Sequence, residues 1–417
     1  MAADRAHHVA PILVLHYHEV GLKGKNRAFF ERTLVRNVNR ALRGLGPTTT
    51  RRLRGRLLVE GVPASALPQA VERLQKVFGL ATISPGVEVP PTLDDMARAA
   101  VALVEGEPLP SFAVRARRAE KHYPFTSQEI GRVVGAAVVQ ATGAPVNLRR
   151  PHVEIFVEVA NERAFVSTSR FRGPSGLPVG TGGLGVVLFS AGIDSPVAAW
   201  RMMKRGMEVI LVHFHSQPFA DRASEEKARR LAAILAEWHG PVELVIVPLI
   251  DAQQAIIAYA PERYRTLLYR RMMLRVAERV ARERRAHALI TGDSLGQVAS
   301  QTVENMTAVT EATSMLVLRP LVGYDKSEII AEAQRIGTYD VSILPQDDAC
   351  TLLDPRRVET RATVEAVRRA EAGLDVEALA DATFAQAHWE RIPPPWWHDH
   401  AGRPQEPEEE APCPPPL

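Results

Sequence analysis

A short polar turn with the sequence SAGIDSP, running from Ser190 to Pro196, combines residue types that suit phosphate chemistry. An apolar run that predicts a strand ends at Ser190, and Pro196 stands where the first turn of a helix accepts proline. A strand–turn–helix unit directs backbone N–H groups and the positive end of the helix dipole towards an anion. Ser190 and Ser195 add hydroxyl donors, whereas Asp194 would repel phosphate unless it helps to hold Mg²⁺. The turn therefore predicts a site for a phosphorylated substrate.

Other glycine patterns nearby do not describe this loop. Gly180, Gly182 and Gly185 spell G-x-G-x-x-G, but they precede the strand, which is the wrong context for dinucleotide binding. The sequence also lacks G-x-x-x-x-G-K-[ST], so it has no Walker A motif. From the residues alone, a purely structural turn at a helix start remains an alternative.

The sequence contains two cysteines, Cys350 and Cys413. This number excludes a disulfide scaffold and a four-cysteine zinc site, and it suits a reducing, cytoplasmic compartment. Cys350 stands in a polar, loop-like stretch after Pro345, where a thiolate would be available for nucleophilic or sulfur-transfer chemistry. A buried structural cysteine is the alternative. Cys413 lies in a proline-rich end, and a role for it in the chemistry is the less favoured interpretation.

The apolar runs divide the chain into three folded parts and a tail. Residues 1–62 predict strand, helix, strand, and residues 63–172 predict further helices and strands around a proline-rich break near residues 85–91. From residue 173 to 392, near-continuous apolar strands alternate with helices, a pattern typical of a doubly wound parallel sheet. Residues 393–417 contain nine prolines and a Glu run, so we predict a disordered tail. No apolar run is long enough to span a membrane, and the first residues are too polar for a signal peptide.

The near-neutral total charge hides an uneven distribution. Residues 1–62 hold 12 Lys and Arg against 4 Asp and Glu, whereas residues 173–417 hold 26 against 33. A basic front on an acidic body suits a polyanionic partner such as RNA. Four arginines, Arg32, Arg36, Arg40 and Arg43, recur on one face of the first predicted helix. The predicted RNA contacts are basic residues of the first two parts: Lys23, Lys25, Arg27, Arg32, Arg36, Arg115, Arg117, Arg118 and Lys121.

Several blocks in this order resemble one known family. SAGIDSP resembles the SGGxDS loop of the PP-loop ATP pyrophosphatases. HYHEVGLKGKNRAFFERTL resembles the ferredoxin-like segment of tRNA 4-thiouridine synthetases (the ThiI family), and FAVRARRAEKHYPFTSQEIGRVVG resembles their RNA-binding THUMP domain. VHFHSQP, TGDSLGQVASQT, RPLVGYDKSEII and IGTYDVSILPQDDACTLL resemble their catalytic domain. The resemblance implies an α/β fold in which a doubly wound PP-loop catalytic domain (173–392) follows α+β ferredoxin-like (1–62) and THUMP (63–172) domains.

The resemblance also implies an activity. It implies a tRNA sulfurtransferase that uses ATP and Mg²⁺ to adenylate a tRNA uridine, at position 8 in the family. Sulfur then arrives from a persulfide on Cys350 to form 4-thiouridine. We expect no C-terminal rhodanese domain, so a separate cysteine desulfurase is the expected persulfide donor. A homodimer is possible, and a sulfur-carrier role in thiamine thiazole synthesis is a weaker implication.

The family pattern further implies a set of site residues. Asp194 and Cys350 are the expected catalytic residues. The expected ATP-binding residues are Leu188, Phe189, Ser190, Gly192, Asp194, Ser195, His213, Phe214, Arg270, Gly292, Gln301 and Lys326.

Three positions depart from the family pattern. Ala191 replaces the usual loop glycine, which would cost about 1 kcal/mol if the position requires a positive φ. Asp293 stands where Glu is expected, and Ala349 stands where many relatives carry a second cysteine. Two alternatives therefore stay open: a non-catalytic tRNA-binding protein with a degenerate loop, or a different PP-loop enzyme that modifies tRNA.

Overall fold

The chain begins with a strand and a helix, in the order that the sequence predicts for residues 1–62. The computed structural model describes residues 11–160, 162–217, 223–345 and 359–400. The first elements are β1 (Ile12–Tyr17), α1 (Arg27–Ala41), β2 (Thr49–Leu53), β3 (Arg56–Glu60), α2 (Leu67–Leu74) and β4 (Leu80–Val89). Leu34 and Val38 of α1 and Leu74 of α2 are fully buried on one face of this sheet, beside Leu13 of β1. The core of the first unit thus extends beyond residue 62, the predicted end of the first domain.

A second α+β unit continues the same sheet. Its elements are α3 (Leu93–Val104), β5 (Phe112–Arg118), α4 (Ser127–Thr142), β6 (Val153–Ala160), β7 (Arg163–Ser167) and β8 (Phe171–Arg172). Thr126 and Glu129 form a reciprocal capping box at the start of α4, and Gly143 ends the helix with φ +68°. The combined eight-stranded sheet has the order β2-β3-β1-β4-β7-β6-β5, with β8 paired to β4. β4 therefore joins the two units.

The third part is an open α/β sheet. Its elements are β9 (Leu184–Leu188), α5 (Asp194–Lys204), β10 (Glu208–His215), α6 (Ala223–His239), β11 (Val242–Pro248), α7 (Ile250–Tyr259), α8 (Arg265–Glu283), β12 (Ala288–Ile290), α9 (Val303–Thr310), β13 (Leu316–Leu318), α10 (Lys326–Ile336), α11 (Tyr339–Ser342), α12 (Val364–Glu371), α13 (Val376–Ala385) and β14 (His388–Ile392). The strand order is β13-β12-β9-β10-β11-β14. Two separate apolar clusters cover the two faces of this sheet. The predicted doubly wound architecture is confirmed.

Two strands and the start of the tail differ from the sequence prediction. β4 crosses Pro85, in the stretch predicted as a break, and β14 adds an antiparallel strand beside β11 at the edge of an otherwise parallel sheet. The beginning of the predicted disordered tail is also structured. Pro395–His400 form a 3₁₀ helix, and Trp396 and Trp397 stack on Arg73 and Arg43 of the N-terminal unit, with 4.5 Å from each guanidinium carbon to the ring centre. Residues 401–417, with Cys413, lie outside the described residues.

The N-terminal and catalytic units share a packed interface. Phe78 contacts Trp200 and Trp238, with ring centres 5.2 and 5.6 Å apart. Arg40 donates to the carbonyl of His239 at 3.0 Å, and Lys76 pairs with Glu237. Among the described helices, none is both long and apolar enough to cross a bilayer.

Candidate functional site

Three parallel strands deliver the candidate residues to one edge of the catalytic sheet. β9, β10 and β12 lie side by side in parallel, so the loops that follow them meet at their carboxyl ends. Open α/β sheets bind ligands at this edge. The loop after β9 leads into α5, whose N-terminus has the orientation that favours an anion.

The two loop serines hold the turn together. The backbone N–H of Ser190 donates to the Oγ of Ser195 at 2.9 Å, and that hydroxyl donates back to the carbonyl of Ser190 at 3.0 Å. The N–H of Gly192 donates to the Oγ of Ser190 at 3.3 Å. These bonds fix the path of the backbone from the strand into the helix.

The alanine in this loop is not strained. Ala191 does not have a positive φ and is only 2% exposed, packed in the core that includes Phe189. The strain considered for Ala191 is therefore absent. Glycine is required instead at Gly292, because a Cβ there would lie 2.9 Å from the backbone nitrogen of Ser195. This close approach packs the loop after β12 directly against the start of α5.

Asp194, the first residue of α5, is held from two sides. Its Oδ1 accepts from Lys326 Nζ at 2.6 Å, and its Oδ2 accepts from Gln297 Nε2 at 2.9 Å. Lys326 begins α10, which Asp325 and Glu328 cap reciprocally. The Oε1 of Gln297 is buried and has no hydrogen-bond partner among the described residues. One carboxylate thus joins three separate loops at the sheet edge.

A second carboxylate, Asp293, lies in the loop after β12 and is 4% exposed. It accepts from Arg270 and from Arg319, and the Nε2 of Gln301 also donates to it at 3.3 Å. Burial alone would raise the pKa of Asp293, but the charges of Arg270 and Arg319 and the hydroxyl of Thr291 lower it below the usual value. Asp293 is therefore ionised at neutral pH.

His213 is buried at the end of β10. Its Nδ1 donates to the carbonyl of Phe189 at 3.0 Å, which leaves its Nε2 as a buried acceptor without a hydrogen-bond partner among the described residues. Burial lowers the pKa of His213 to about 4, so the ring is neutral at pH 7. Phe214, the next residue, is half-buried against the other face of the sheet.

Most of the expected ATP-binding residues thus gather at this edge. The residues at the ends of β9 and β10, in the loop after β12 and at the start of α10 are Leu188, Phe189, Ser190, Gly192, Asp194, Ser195, His213, Phe214, Gly292, Gln301 and Lys326. Arg270 of α8 reaches them through Asp293. Cys350 lies outside the described residues. Helix α11 lies shortly before Cys350 in the sequence, and the Oγ of its last residue, Ser342, donates to the carbonyl of Gly192 at 3.3 Å.

The sequence analysis did not single out Gln297, Arg319 or Ser342. Each lies inside a block quoted for the family resemblance, so the signal was present in the sequence. Their roles depend on contacts between different loops, and residue spacing in the sequence does not predict those contacts.

The predicted RNA contacts fall into two groups. The exposed group is Lys25, Arg32, Arg36, Arg115, Arg117 and Lys121. The others are partly buried and engaged within the protein. Arg27 binds Glu31 and the hydroxyl of Tyr17, Arg118 donates to backbone carbonyls of residues 121–125, and Lys23 lies 3.6 Å from Glu19. Arg115, although exposed, pairs with Glu154 at 2.8 Å.

The sheet, its phosphate loop and the preceding eight-stranded unit define a PP-loop α/β protein with an N-terminal α+β module. Family models match in three places: the thiamine biosynthesis protein (ThiI) at residues 180–376, the ThiI ferredoxin-like domain at 12–84 and the THUMP domain at 90–169.

Named relatives match nearly the whole chain. A probable tRNA sulfurtransferase of Thermus thermophilus is 48% identical over 88% of this chain and 90% of its own length. A probable tRNA sulfurtransferase of Moorella thermoacetica is 43% identical over 88% of this chain and 94% of its own length. The chain therefore belongs to the tRNA sulfurtransferase (ThiI) family. A solved 4-thiouridine synthetase, crystallised with RNA and ATP, is similar with TM-score 0.84 and 35% identity, covering 92% of this chain and 100% of that one.

Proposed function

We propose that this protein is an ATP-dependent enzyme that transfers sulfur to a uridine of tRNA and forms 4-thiouridine. One observation carries the proposal. The loop Ser190–Ser195, the carboxylates Asp194 and Asp293 and their cationic partners meet at the carboxyl edge of the sheet, in a chain that matches the ferredoxin-like, THUMP and ThiI models in this order. The solved relative holds both RNA and ATP, the two substrates that this activity needs.

The first step would activate the uridine. The C4 oxygen of the uridine attacks the α-phosphorus of ATP, which forms an adenylated uridine and releases pyrophosphate. The N-terminus of α5 and the hydroxyls of Ser190 and Ser195 suit the negative charge that develops on the phosphates. Lys326 and Arg270 are the cations nearest to the two carboxylates and would share that charge.

Mg²⁺ fits the residues present at this site. Asp194 offers one carboxylate, and the part of the chain that the structure describes contains no cluster of three or more His, Cys, Asp or Glu able to hold a metal. Mg²⁺ commonly binds through one or two carboxylates together with substrate phosphates and water, so Asp194 would be its protein ligand. When bound, the ion would offset the negative charge of the phosphates.

The second step would deliver sulfur. The terminal sulfur of a persulfide on Cys350, supplied by a cysteine desulfurase, attacks C4 and expels AMP. A second thiol then cleaves the sulfur–sulfur bond to Cys350, which leaves 4-thiouridine. Support comes from the sequence position of Cys350, eight residues after Ser342, whose hydroxyl binds the phosphate loop. Binding of tRNA would use the exposed basic residues of the N-terminal units.

Two alternatives were open from the sequence. Ala191 suggested a degenerate loop and hence a non-catalytic tRNA-binding protein. The residue does not have a positive φ, so it no longer supports that alternative. A different PP-loop enzyme that modifies tRNA would also use ATP and tRNA, but it would not thiolate uridine C4.

The decisive assay mixes the protein with unmodified tRNA transcript, Mg-ATP, a reducing thiol and a cysteine desulfurase with cysteine. It follows pyrophosphate release and the near-ultraviolet absorbance of 4-thiouridine. The wild type should give both signals. Asp194→Asn should lose both by on the order of 100-fold, since charge stabilisation on the phosphates is weakened. Cys350→Ser should still release pyrophosphate but form no 4-thiouridine.

Cys413→Ser is the matched control, because it removes the other cysteine and should thiolate like the wild type. Normal thiolation by Cys350→Ser would overturn the role of that cysteine. No 4-thiouridine from the wild type with a competent donor would overturn the proposed function itself.

A further inference from the structure

Helix α8 carries two neighbouring arginines, Arg270 and Arg271, whose side chains bind different carboxylates. Arg270 turns to the nucleotide edge, where it contacts Asp293 and donates to the carbonyl and hydroxyl of Ser300 at 3.2 and 3.3 Å. Arg271 turns away from that edge and donates to both oxygens of Glu371 in α12. Each arginine thus meets a buried carboxylate, but only one of the two carboxylates lies among the expected ATP-binding residues.

Asp293 accepts hydrogen bonds on both oxygens. Its Oδ1 accepts from Arg270 and from Gln301, and its Oδ2 accepts from Thr291 at 2.8 Å and from Arg319 at 3.2 Å. Arg319 is anchored in turn by a 2.7 Å bond to the hydroxyl of Thr310. Because four donors from α8, from the loop after β12 and from the loop after β13 converge on one 4%-exposed carboxylate, its position is fixed.

The contact with Gln301 orients a second group. Its amide nitrogen binds Asp293, and its Oε1 is buried without a hydrogen-bond partner among the described residues. A buried acceptor without a partner is costly, so it suits a donor of the ligand, such as a hydroxyl or amino group of a nucleotide.

We infer that Asp293 is a positioning residue of the nucleotide site, which holds the guanidinium of Arg270 and the amide of Gln301 in the orientation that binds ATP. The inference rests on the proposed function for the identity of the nucleotide. Asp293 itself would touch neither phosphate nor sulfur; it acts through Arg270 and Gln301.

The charge of the cluster makes the test discriminating. Arg270 and Arg319 bring two positive charges, and Asp293 brings one negative charge. If Asp293 acted only as a nearby anion, its removal would strengthen the attraction for a triphosphate. If it positions Arg270 and Gln301, its removal weakens ATP binding although the site becomes more positive.

Glu371 of α12 provides a matched control, because its arginine partners lie on the same helix, α8, as Arg270. It is 8% exposed and accepts from Arg271 and Arg275 on both oxygens, with distances of 2.6–3.2 Å. Glu371→Gln therefore removes a buried charge between two arginines, as Asp293→Asn does, but away from the nucleotide edge.

The experiment measures the Kd for ATP by calorimetry on the full chain, together with the melting temperature. Asp293→Asn should raise the Kd about 10-fold or more, because misplaced contacts lose their binding energy. Asp293→Glu keeps the charge and should recover most of the affinity. Glu371→Gln should stay within about threefold of the wild type even if it melts earlier, because distant sites act independently.

An unchanged or lower Kd for Asp293→Asn would overturn the inference, and so would an equal loss in Glu371→Gln. If Asp293→Asn does not fold, Arg270→Met and Gln301→Met replace it. One carboxylate holds both side chains, so removing either of them should loosen the other. The double variant should therefore lose less affinity than the product of the two single losses, and simple multiplication of the losses would refute the inference. The Kd requires no thiolation, so a wild type that binds ATP but forms no 4-thiouridine would contradict only the proposed function.

Discussion

At the scale of single residues, burial decides which charge state the site has. His213 is 3% exposed, and its burial lowers its pKa to about 4. Its Nδ1–H donates to the carbonyl of Phe189, and its Nε2 remains an acceptor. The neutral ring therefore ties the ends of β9 and β10 together without adding charge next to the phosphate loop.

This burial predicts a pH dependence of stability. An unfolded histidine, with a pKa near 6.5, binds a proton more readily than folded His213, so the free energy of unfolding falls as the pH drops below about 6.5. Between pH 8 and pH 5 the contribution of this residue is about 2 kcal/mol, and it stops growing below about pH 4. In urea denaturation, the free energy of unfolding of His213→Gln should fall between pH 8 and pH 5 by about 2 kcal/mol less than that of the wild type. An identical loss in the variant and the wild type would contradict the assignment.

The sequence predicted the chemistry of individual residues better than their contacts. Ser190 and Asp194 stand out because a strand, a turn and a helix start surround them in the sequence itself. Gln297 and Arg319 do not, because the amide and the guanidinium become meaningful only when three loops meet at Asp194 and Asp293. The strain considered for Ala191 was wrong, since φ at a single residue depends on how the loop packs and not on its composition.

At the scale of elements, the strands with regular apolar patterns were predicted, whereas irregular ones, among them β4 and β14, were missed. Pro85 suggested a break, yet β4 continues through it. On the edge of β4 opposite β1, residues 82–83 pair with β8 and residues 86–89 pair with β7, so proline sits where that ladder is already interrupted. β14 was missed because HWERI alternates weakly and its strand character comes from lying beside β11.

A truncation series tests the importance of β14. Its residues pair with β11 along five positions, Glu390 binds Arg229 through both oxygens, and Trp389 packs against the core. A chain that ends at residue 386 should lose roughly 3 kcal/mol and melt roughly 5–10 °C lower, and it exposes the edge of β11 to aggregation.

The control for this series is a chain that ends at residue 400. It keeps β14 and the stacked tryptophans, so calorimetry should find the melting temperature of the full chain. Equal melting of the 386- and 400-residue chains would show that β14 adds nothing to the stability of the sheet.

At the scale of the whole molecule, the four arginines of α1 and the turn after it, Arg32, Arg36, Arg40 and Arg43, have two different roles. Arg32 and Arg36 are exposed, whereas Arg40 bonds to His239 and Arg43 stacks on Trp397 in the contact with the catalytic part. Charge counts from the sequence do not distinguish these four arginines from one another. Only the fold separates the arginines available to a partner from those that hold the protein together.

Electrostatic binding of tRNA predicts a steep salt dependence. The logarithm of affinity should fall linearly with that of salt concentration, with a slope of about 0.7–0.9 for each phosphate contacted. Charge reversal at Arg32 and Arg36 should weaken binding across all tRNA sequences and reduce the slope. Filter binding at several salt concentrations measures both.

Arg282→Glu is the control for these reversals. This arginine lies in the last turn of α8, in the catalytic part, and its side chain is 72% exposed. Its reversal changes the net charge by the same amount as reversal of Arg32 or Arg36 alone. It should leave tRNA affinity within about twofold of the wild type, because distant exposed charges are screened by salt. A flat salt response, or an equal loss in Arg282→Glu, would argue against the N-terminal surface.

The stacked tryptophans also have a mechanical consequence. The catalytic part is joined to the N-terminal part at the start of its sequence, where Gly79 donates to the carbonyl of Ser175 at 2.9 Å, and again after its last strand, where Trp396 and Trp397 return to Arg73 and Arg43. These contacts add to the packed interface that Phe78, Arg40 and Lys76 form with the catalytic part. Contacts at separate places on one interface resist rotation of one part against the other, so the distance between the two parts that a bound RNA must span is held nearly constant.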